Sequence, residues 1–351
     1  MTHRPDRPRL ALVAAATLLP LLAACSTGSS TADDTGDSRV NTTADADAFP
    51  VTVDSALGDA VIEEEPERVV TVGYADSDVA LSLGVVPIAS EKITWGGTED
   101  GSTVWFDEAL AEIDGAEAPK RLDTTDGIPV DEIIALEPDL VLGTNSGLTQ
   151  KDFDKLTEAG IPVVAYPGDM WFTSWQESLE IAGTALGRSD VADDVIAETE
   201  AVIADTAAAY PQLDGATIAY TYLNPADTSQ IGIYSAEENR PVLLEALGAQ
   251  TPAIVEEVSK PGVFYTTISA ERANDVEADA LLTDVEAESD IETIESDPLL
   301  SQIPAIASGH WYAELDHVAV LGMSAPSALS LPYAMEHYIP NVAAAVDGDG
   351  S

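Results

Sequence analysis

Four of the five tryptophans in the sequence fall in two short stretches. Trp95 and Trp105 stand in EKITWGGTEDGSTVWF (91–106), Trp171 and Trp175 in GDMWFTSW (168–175), and each stretch follows an apolar run that reads as a buried strand. Large rigid rings just beyond strands, outside any periodic core pattern, are suited to walling a ligand cleft at low conformational cost. Tyr74 directly follows a further such run, RVVTVG (68–73). In the second half, Tyr222 and Tyr234 end apolar runs, Tyr265 lies in GVFYTT (262–267) and Tyr312 in SGHWYAEL (308–315). Arg240 is set among them in a chain with only 14 Lys and Arg. It opens a helical run, where its charge opposes the helix dipole, so its place points to another use. A planar guanidinium donates well to ligand oxygens; a surface ion pair with Glu237 or Glu238 is the plainer alternative.

The same inventory argues against an enzyme. There is no G-x-S-x-G elbow and no H-E-x-x-H helix. Beyond the first residues the histidines are His310, His317 and His337, without metal-ligand spacing. The chain's one cysteine, Cys25, is accounted for below.

Two acids recur at matching stations. In VDEIIALEPDLVLG (130–143) Asp131 stands eight residues before Asp139, and in SAERANDVEADALLT (269–283) Glu271 stands eight before Asp279. Both stretches read as a short helix running into a buried strand. An acid in a first helical turn is favourable by about 0.3–1 kcal/mol through the dipole alone.

Strands and helices alternate through the chain, which indicates mostly parallel sheets covered by helices. The first half offers strands at 68–74, 85–90, 139–143 and 161–167, with a helix at 76–84 capped by Asp76 or Ser77 and stopped by Gly84. The second half offers strands at 217–223, 231–235 and 279–283, then DPLLSQIPAIAS (297–308), read as helix, Ile-Pro and strand like DKLTEAGIPVVAY (154–166). LPYAMEHYIPNVAAAV (331–346) reads as one closing helix. Between the halves, residues 191–208 carry helical spacing without Gly or Pro, enough for a strut of about 27 Å.

Residues 1–25 have a basic start (Arg4, Arg7, Arg9) and the apolar run LALVAAATLLPLLAA, too short for an ordinary membrane span. The run ends in LAAC, which resembles a lipobox. Cys25 would then carry diacylglycerol, placing the protein on the extracytoplasmic face of the cell membrane, anchored without crossing it. Residues 26–50 are almost free of apolar side chains and read as a disordered tether. The expected plan is a signal peptide (1–25), tether (26–50), first lobe (51–187), linking helix (188–213), second lobe (214–346) and disordered tail (347–351). The formal charge is −49, and removing residues 1–25 takes away three Arg and one Asp to leave −51. That excludes nucleic acid as a partner, which requires a basic footprint.

The ordered set PERVVTVGYADSDVALSLGVVPIAS, VDEIIALEPDLVLG, LTEAGIPVVAY and DPLLSQIPAIASGHWY resembles the ferric siderophore and cobalamin substrate-binding proteins of ABC importers, over about 65–342. The resemblance implies an α/β fold of two Rossmann-like lobes with parallel sheets joined by one long α-helix, with the ligand cleft between them. It implies a monomer without catalytic activity or cofactor that takes a ferric siderophore, iron already chelated, and hands it to an ABC permease dimer; cobalamin or haem are the alternative cargoes, and an exported hydrolase the alternative of another class. In this family an acid at the start of each of the two echoed helices docks on permease arginines. Glu271 matches the second position. Asp131 matches the first, where the family usually has Glu, and neighbouring Glu132 stays open for the same role. The ligand-binding candidates are Tyr74, Trp95, Trp105, Trp171, Trp175, Tyr222, Tyr234, Arg240, Tyr265 and Tyr312. The scarcity of bases leans toward a neutral or cationic hydroxamate.

Overall fold

A computed structural model of the chain describes residues 43–350. Residues 1–42, which hold the expected signal peptide, Cys25 and most of the expected tether, lie outside the described residues. Among those described, no helix is long and apolar enough to cross a membrane.

A small hairpin, β1 (Val51–Val53) and β2 (Ala60–Ile62), precedes the first lobe. The lobe then runs β3 (Val69–Thr71), α1 (Asp76–Ser82), β4 (Ala89–Glu91), α2 (Val104–Ala111), β5 (Lys120–Leu122), α3 (Val130–Ala135), β6 (Leu140–Gly143), α4 (Gln150–Glu158), β7 (Val163–Ala165) and α5 (Trp175–Ala185). Its sheet has the order β5-β4-β3-β6-β7, and every pairing in it is parallel. Strands β3, β6 and β7 are buried throughout, as continuous apolar runs covered on both faces should be.

The linking helix α6 (Ser189–Ala209) is 21 residues long, about 31 Å at 1.5 Å per residue. The second lobe follows with β8 (Ile218–Tyr222), β9 (Gln230–Tyr234), α7 (Asn239–Ala246), α8 (Ala253–Val258), β10 (Tyr265–Ser269), β11 (Ala280–Asp284), α9 (Glu288–Ser296), α10 (Pro304–Ser308), β12 (Trp311–Glu314), α11 (His317–Ser324), α12 (Ser330–His337) and α13 (Ile339–Asp347). Its sheet order, β10-β9-β8-β11-β12, repeats that of the first lobe strand for strand. The echoed acids therefore share a topological station. Asp131 follows β5 and Glu271 follows β10, the outer strand in each case, on the crossover to β6 or β11.

The repeat is not literal. β9 runs antiparallel to both β8 and β10, so the second sheet is mixed where parallel sheets were expected. The connection from Tyr222 to Gln230 is too short for a helical crossover and forces a hairpin. AERAND, read as a short helix, is a 3-10 helix (Ala270–Asp275) capped by Ser269. PAIAS, expected as a strand, is helix α10: Pro304 sits in its first turn and Gly309, at φ 81°, closes it. The strand is instead β12, after Gly309. The closing helix is two helices, because Pro340 at the start of α13 cannot continue the hydrogen bonding of α12.

Asp76 does not cap α1. Its carboxylate accepts from Thr144 N–H (2.8 Å) and Thr144 Oγ1 (2.7 Å) beyond β6. Residues 45–49, read as tether, are held against the first lobe: Asp45 N–H donates to Gly187 O at 2.7 Å and Phe49 packs on the core. At the other end, Asp349 N–H donates to Ala344 O at 2.8 Å, so residues up to 350 continue the fold. Finally, α11 and α12 pack back onto the first lobe. Leu321, Val318, Leu329 and Tyr333 share an apolar cluster with Leu81, Ile93, Trp105 and Phe106. The lobes are thus coupled by this cluster as well as by α6.

Candidate functional site

A cavity of about 420 Å³ lies between the lobes, lined by Tyr74, Ala75, Trp95, Asn145, Trp171, Asn239, Arg240, Phe264, Leu321, Ser324 and Ala325. The first-lobe residues all lie beyond the carboxyl ends of β3, β4, β6 and β7, where parallel sheets place ligands. Trp171 adopts φ 70°, a left-handed backbone that costs a residue with a Cβ about 1–2 kcal/mol. Its indole lies over Gly147, where an added Cβ would come within 2.7 Å of Trp171 Cζ2. The ring of Tyr74 is tilted toward it at 6.2 Å.

Across the cleft, Arg240 is buried, and its guanidinium stands 4.2 Å from the ring centroid of Tyr234 and 5.3 Å from that of Tyr220. Nη1 donates to Glu238 Oε1 at 3.0 Å, and the other carboxylate oxygen accepts from Arg240 N–H at 2.9 Å, so Glu238 caps α7 and pairs with Arg240 at once. That explains an arginine in a first helical turn. Burial opposes the charge on Arg240, but Glu238, Tyr234, Tyr220 and Asp284 more than offset it and raise its pKa. Burial likewise raises the carboxyl of Glu238 while Arg240 draws it back. Tyr234 is pushed up to about 12, again by burial, with Arg240 opposing, so its hydroxyl stays protonated. Arg240 Nε and Asn145 Oδ1 are buried without a hydrogen-bond partner, and both residues belong to the cavity wall.

The lobes touch at three ring pairs: Trp95 stacks on His317 at 4.7 Å, Phe172 meets Phe264 edge-on at 6.3 Å, and Trp105 is tilted against Tyr333 at 5.5 Å. Gly96, at φ 68°, permits the first contact; a Cβ there would stand 2.4 Å from His317 O.

Of the ten ligand-binding candidates, the structure brings Tyr74, Trp95, Trp171 and Arg240 into the cavity wall. Tyr234 lies just behind Arg240. Trp105 and Trp175 are buried core residues; the indole of Trp105 donates to Asp78 Oδ2 at 2.7 Å. Tyr312 bonds Glu314 and Asn341 away from the wall, while Tyr222 and Tyr265 are exposed outside it. The rule that ligands sit beyond the carboxyl ends of parallel strands points to Tyr222 at the end of β8, but its side chain is exposed outside the wall. Asn145 was within reach of that rule. Leu321, Ser324 and Ala325 were not, since α11 reaches the cavity only by folding back. Among the described residues no cluster of His, Cys, Asp and Glu could hold a metal ion.

A family model described as Periplasmic binding protein matches residues 69–314. The chain belongs to the periplasmic binding protein family. As a periplasmic binding protein it is a transport receptor and makes or breaks no bond. Among solved structures it is similar to PiaA of Streptococcus pneumoniae TIGR4 in complex with ferrichrome, at 32% identity and TM-score 0.78, covering 85% of this chain and 99% of that one. A periplasmic solute binding protein from Mycobacterium smegmatis is 27% identical, with TM-score 0.70, covering 84% of this chain and 98% of its own. Staphylococcus aureus SirA complexed with staphyloferrin B, at 20% identity, TM-score 0.65 and covering 82% and 96%, shares the fold. No curated protein matches the chain.

Proposed function

We propose that this protein captures a ferric siderophore between its lobes and delivers it to an ABC permease, tethered to the outer face of the membrane through diacylglycerol on Cys25. The observation that carries the reading is the cavity itself: aromatic walls, one arginine, Arg240, and no competing metal ligands among the described residues. Such a site suits iron that arrives already wrapped in an organic chelate. The likeness to ferrichrome-bound PiaA over 85% of the chain supports it.

For docking, Asp131 and Glu271 are both exposed at matching crossovers. Glu132 is engaged by Lys120 Nζ at 2.8 Å, which favours Asp131 as the first-lobe contact.

Titrating the purified protein with ferric hydroxamates, ferric catecholates, ferric citrate, haem and cobalamin tests the cargo. Quenching of Trp95 and Trp171 by a ferric chelate in the micromolar range or tighter is expected. A response to haem or cobalamin alone would reassign it. Asp131→Arg with Glu271→Arg should leave ligand affinity intact and abolish uptake by cells.

A further inference from the structure

Arg240 is the one charged residue in the cavity wall, yet it does not present a net charge to the cavity. The Glu238 side chain, with no exposure at all, sits 3.0 Å from its guanidinium, and Asp284 at the end of β11 acts on the same group. On the first-lobe side Asp76, Asp78 and Glu91 are buried acids, Glu91 acts on Tyr74 of the wall, and Arg121 is turned to Ser90 and Ser102. No second cation lines the wall. A chelate bearing several negative charges would leave water for a largely apolar, aromatic site whose one positive group is already neutralised. A neutral chelate loses little on entry and still meets the Arg240 guanidinium at the wall.

Resting on the reading of this cavity as a site for ferric chelates, we propose that Glu238 is its charge filter: by cancelling Arg240 it restricts the cargo to neutral chelates and excludes anionic ones of similar shape. Arg240 meets the ligand; Glu238 decides which ligands reach it. The pairing also explains why both groups are buried together, since a lone buried charge would be costly and a lone arginine would attract anions.

The test uses chelates that differ in charge on one scaffold. Ferrichrome (neutral) is compared with ferrichrome A (anionic), and ferric N-acetyl-desferrioxamine B (neutral) with its N-succinyl counterpart (anionic). The wild-type protein should bind the neutral member of a pair at least about tenfold tighter. Glu238→Gln keeps the size and one acceptor for the α7 cap, and should narrow that gap at least about fivefold by gaining affinity for the anionic member. Asp284→Asn should narrow it in the same sense. Equal affinity of the wild-type protein for both members overturns the proposal, as does a parallel change for both in Glu238→Gln. Should Glu238→Gln fail to fold, the wild-type series and Asp284→Asn decide. Failure of the wild-type protein to bind any ferric chelate would strike the underlying reading instead, and is distinguishable from these outcomes.

Discussion

Ser327 donates a hydrogen bond to Asp78 Oδ2 at 2.8 Å, across a sequence separation of 249 residues. The same oxygen accepts from Trp105 Nε1, so one buried carboxyl of α1 joins α2 to the segment before α12. This junction helps explain how the lobes are coupled beyond α6.

The junction should make stability depend on pH. Burial pushes the carboxyl of Asp78 up to about 7, against hydrogen bonds from Ser327 and Trp105, and burial also pushes Glu91 up to about 7. A carboxyl whose pKa is raised by folding binds more protons in the folded state than in the unfolded one between pH ~4 and ~7. Stability therefore falls as pH rises through that window and levels off above it. For Asp78 the effect is of order 4 kcal/mol. Melting temperature should rise from pH 8 to pH 5.5, and Asp78→Asn should flatten that slope relative to the parent, which controls for the relief of general acidic repulsion. A slope unchanged by the substitution would contradict the placement of Asp78.

Gly147→Ala should weaken ligand binding without touching the ligand. The added Cβ would meet the indole of Trp171 at 2.7 Å and displace it from the wall. Affinity should fall about tenfold, the cost of one displaced ring contact. Tryptophan quenching on titration should shrink in parallel. Trp175→Phe, in the core, should leave the quenching amplitude nearly unchanged.

Removing Arg240 alone should destabilise the fold. Arg240→Met strands the Glu238 carboxylate in the interior, at a cost of about 3–5 kcal/mol by chemical denaturation. Arg240→Met with Glu238→Leu should recover much of that loss while binding stays abolished. Persistent instability of the pair would mean that the aromatic packing of the guanidinium, not its charge, holds the site.

The paired acids before β6 and β11 should act as equivalent clamps. Asp139 accepts from the backbone N–H of Glu67 (2.9 Å) and Arg68 (2.8 Å) at the start of β3, and Asp279 from Thr217 N–H and Oγ1 (both 2.8 Å) at the start of β8. Asp139→Ala and Asp279→Ala should each cost about 1–2 kcal/mol. Lying in separate lobes, they should add within about 0.5 kcal/mol. Strong coupling between them would argue against independent clamps.

Much of this was legible beforehand. The apolar runs around Val70, Val141 and Leu281, the linking helix and the eight-residue echo of Asp131–Asp139 in Glu271–Asp279 all follow from local pattern, because strand burial and helix periodicity are written in nearest neighbours. The errors fell where a local pattern had two solutions. PAIAS is apolar enough for a strand, and only the Pro304 and Gly309 frame makes it a helix. TYL and IGIYS read as strands in either direction, and the short connection between them decides.

By itself, then, the sequence determined two α/β lobes of similar plan and the rod between them, since these rest on hydrophobic period and chain length. It also singled out Tyr74, Trp95, Trp171 and Arg240. What only the tertiary structure decided is which aromatics face the cavity and what neutralises Arg240. Trp105 and Trp171 have similar local surroundings in sequence, yet Trp105 is turned inward because Asp78 offers its indole a buried acceptor, while Trp171 is turned to the cleft because Gly147 leaves room for it. Such choices depend on partners tens of residues away, and no local spacing encodes them.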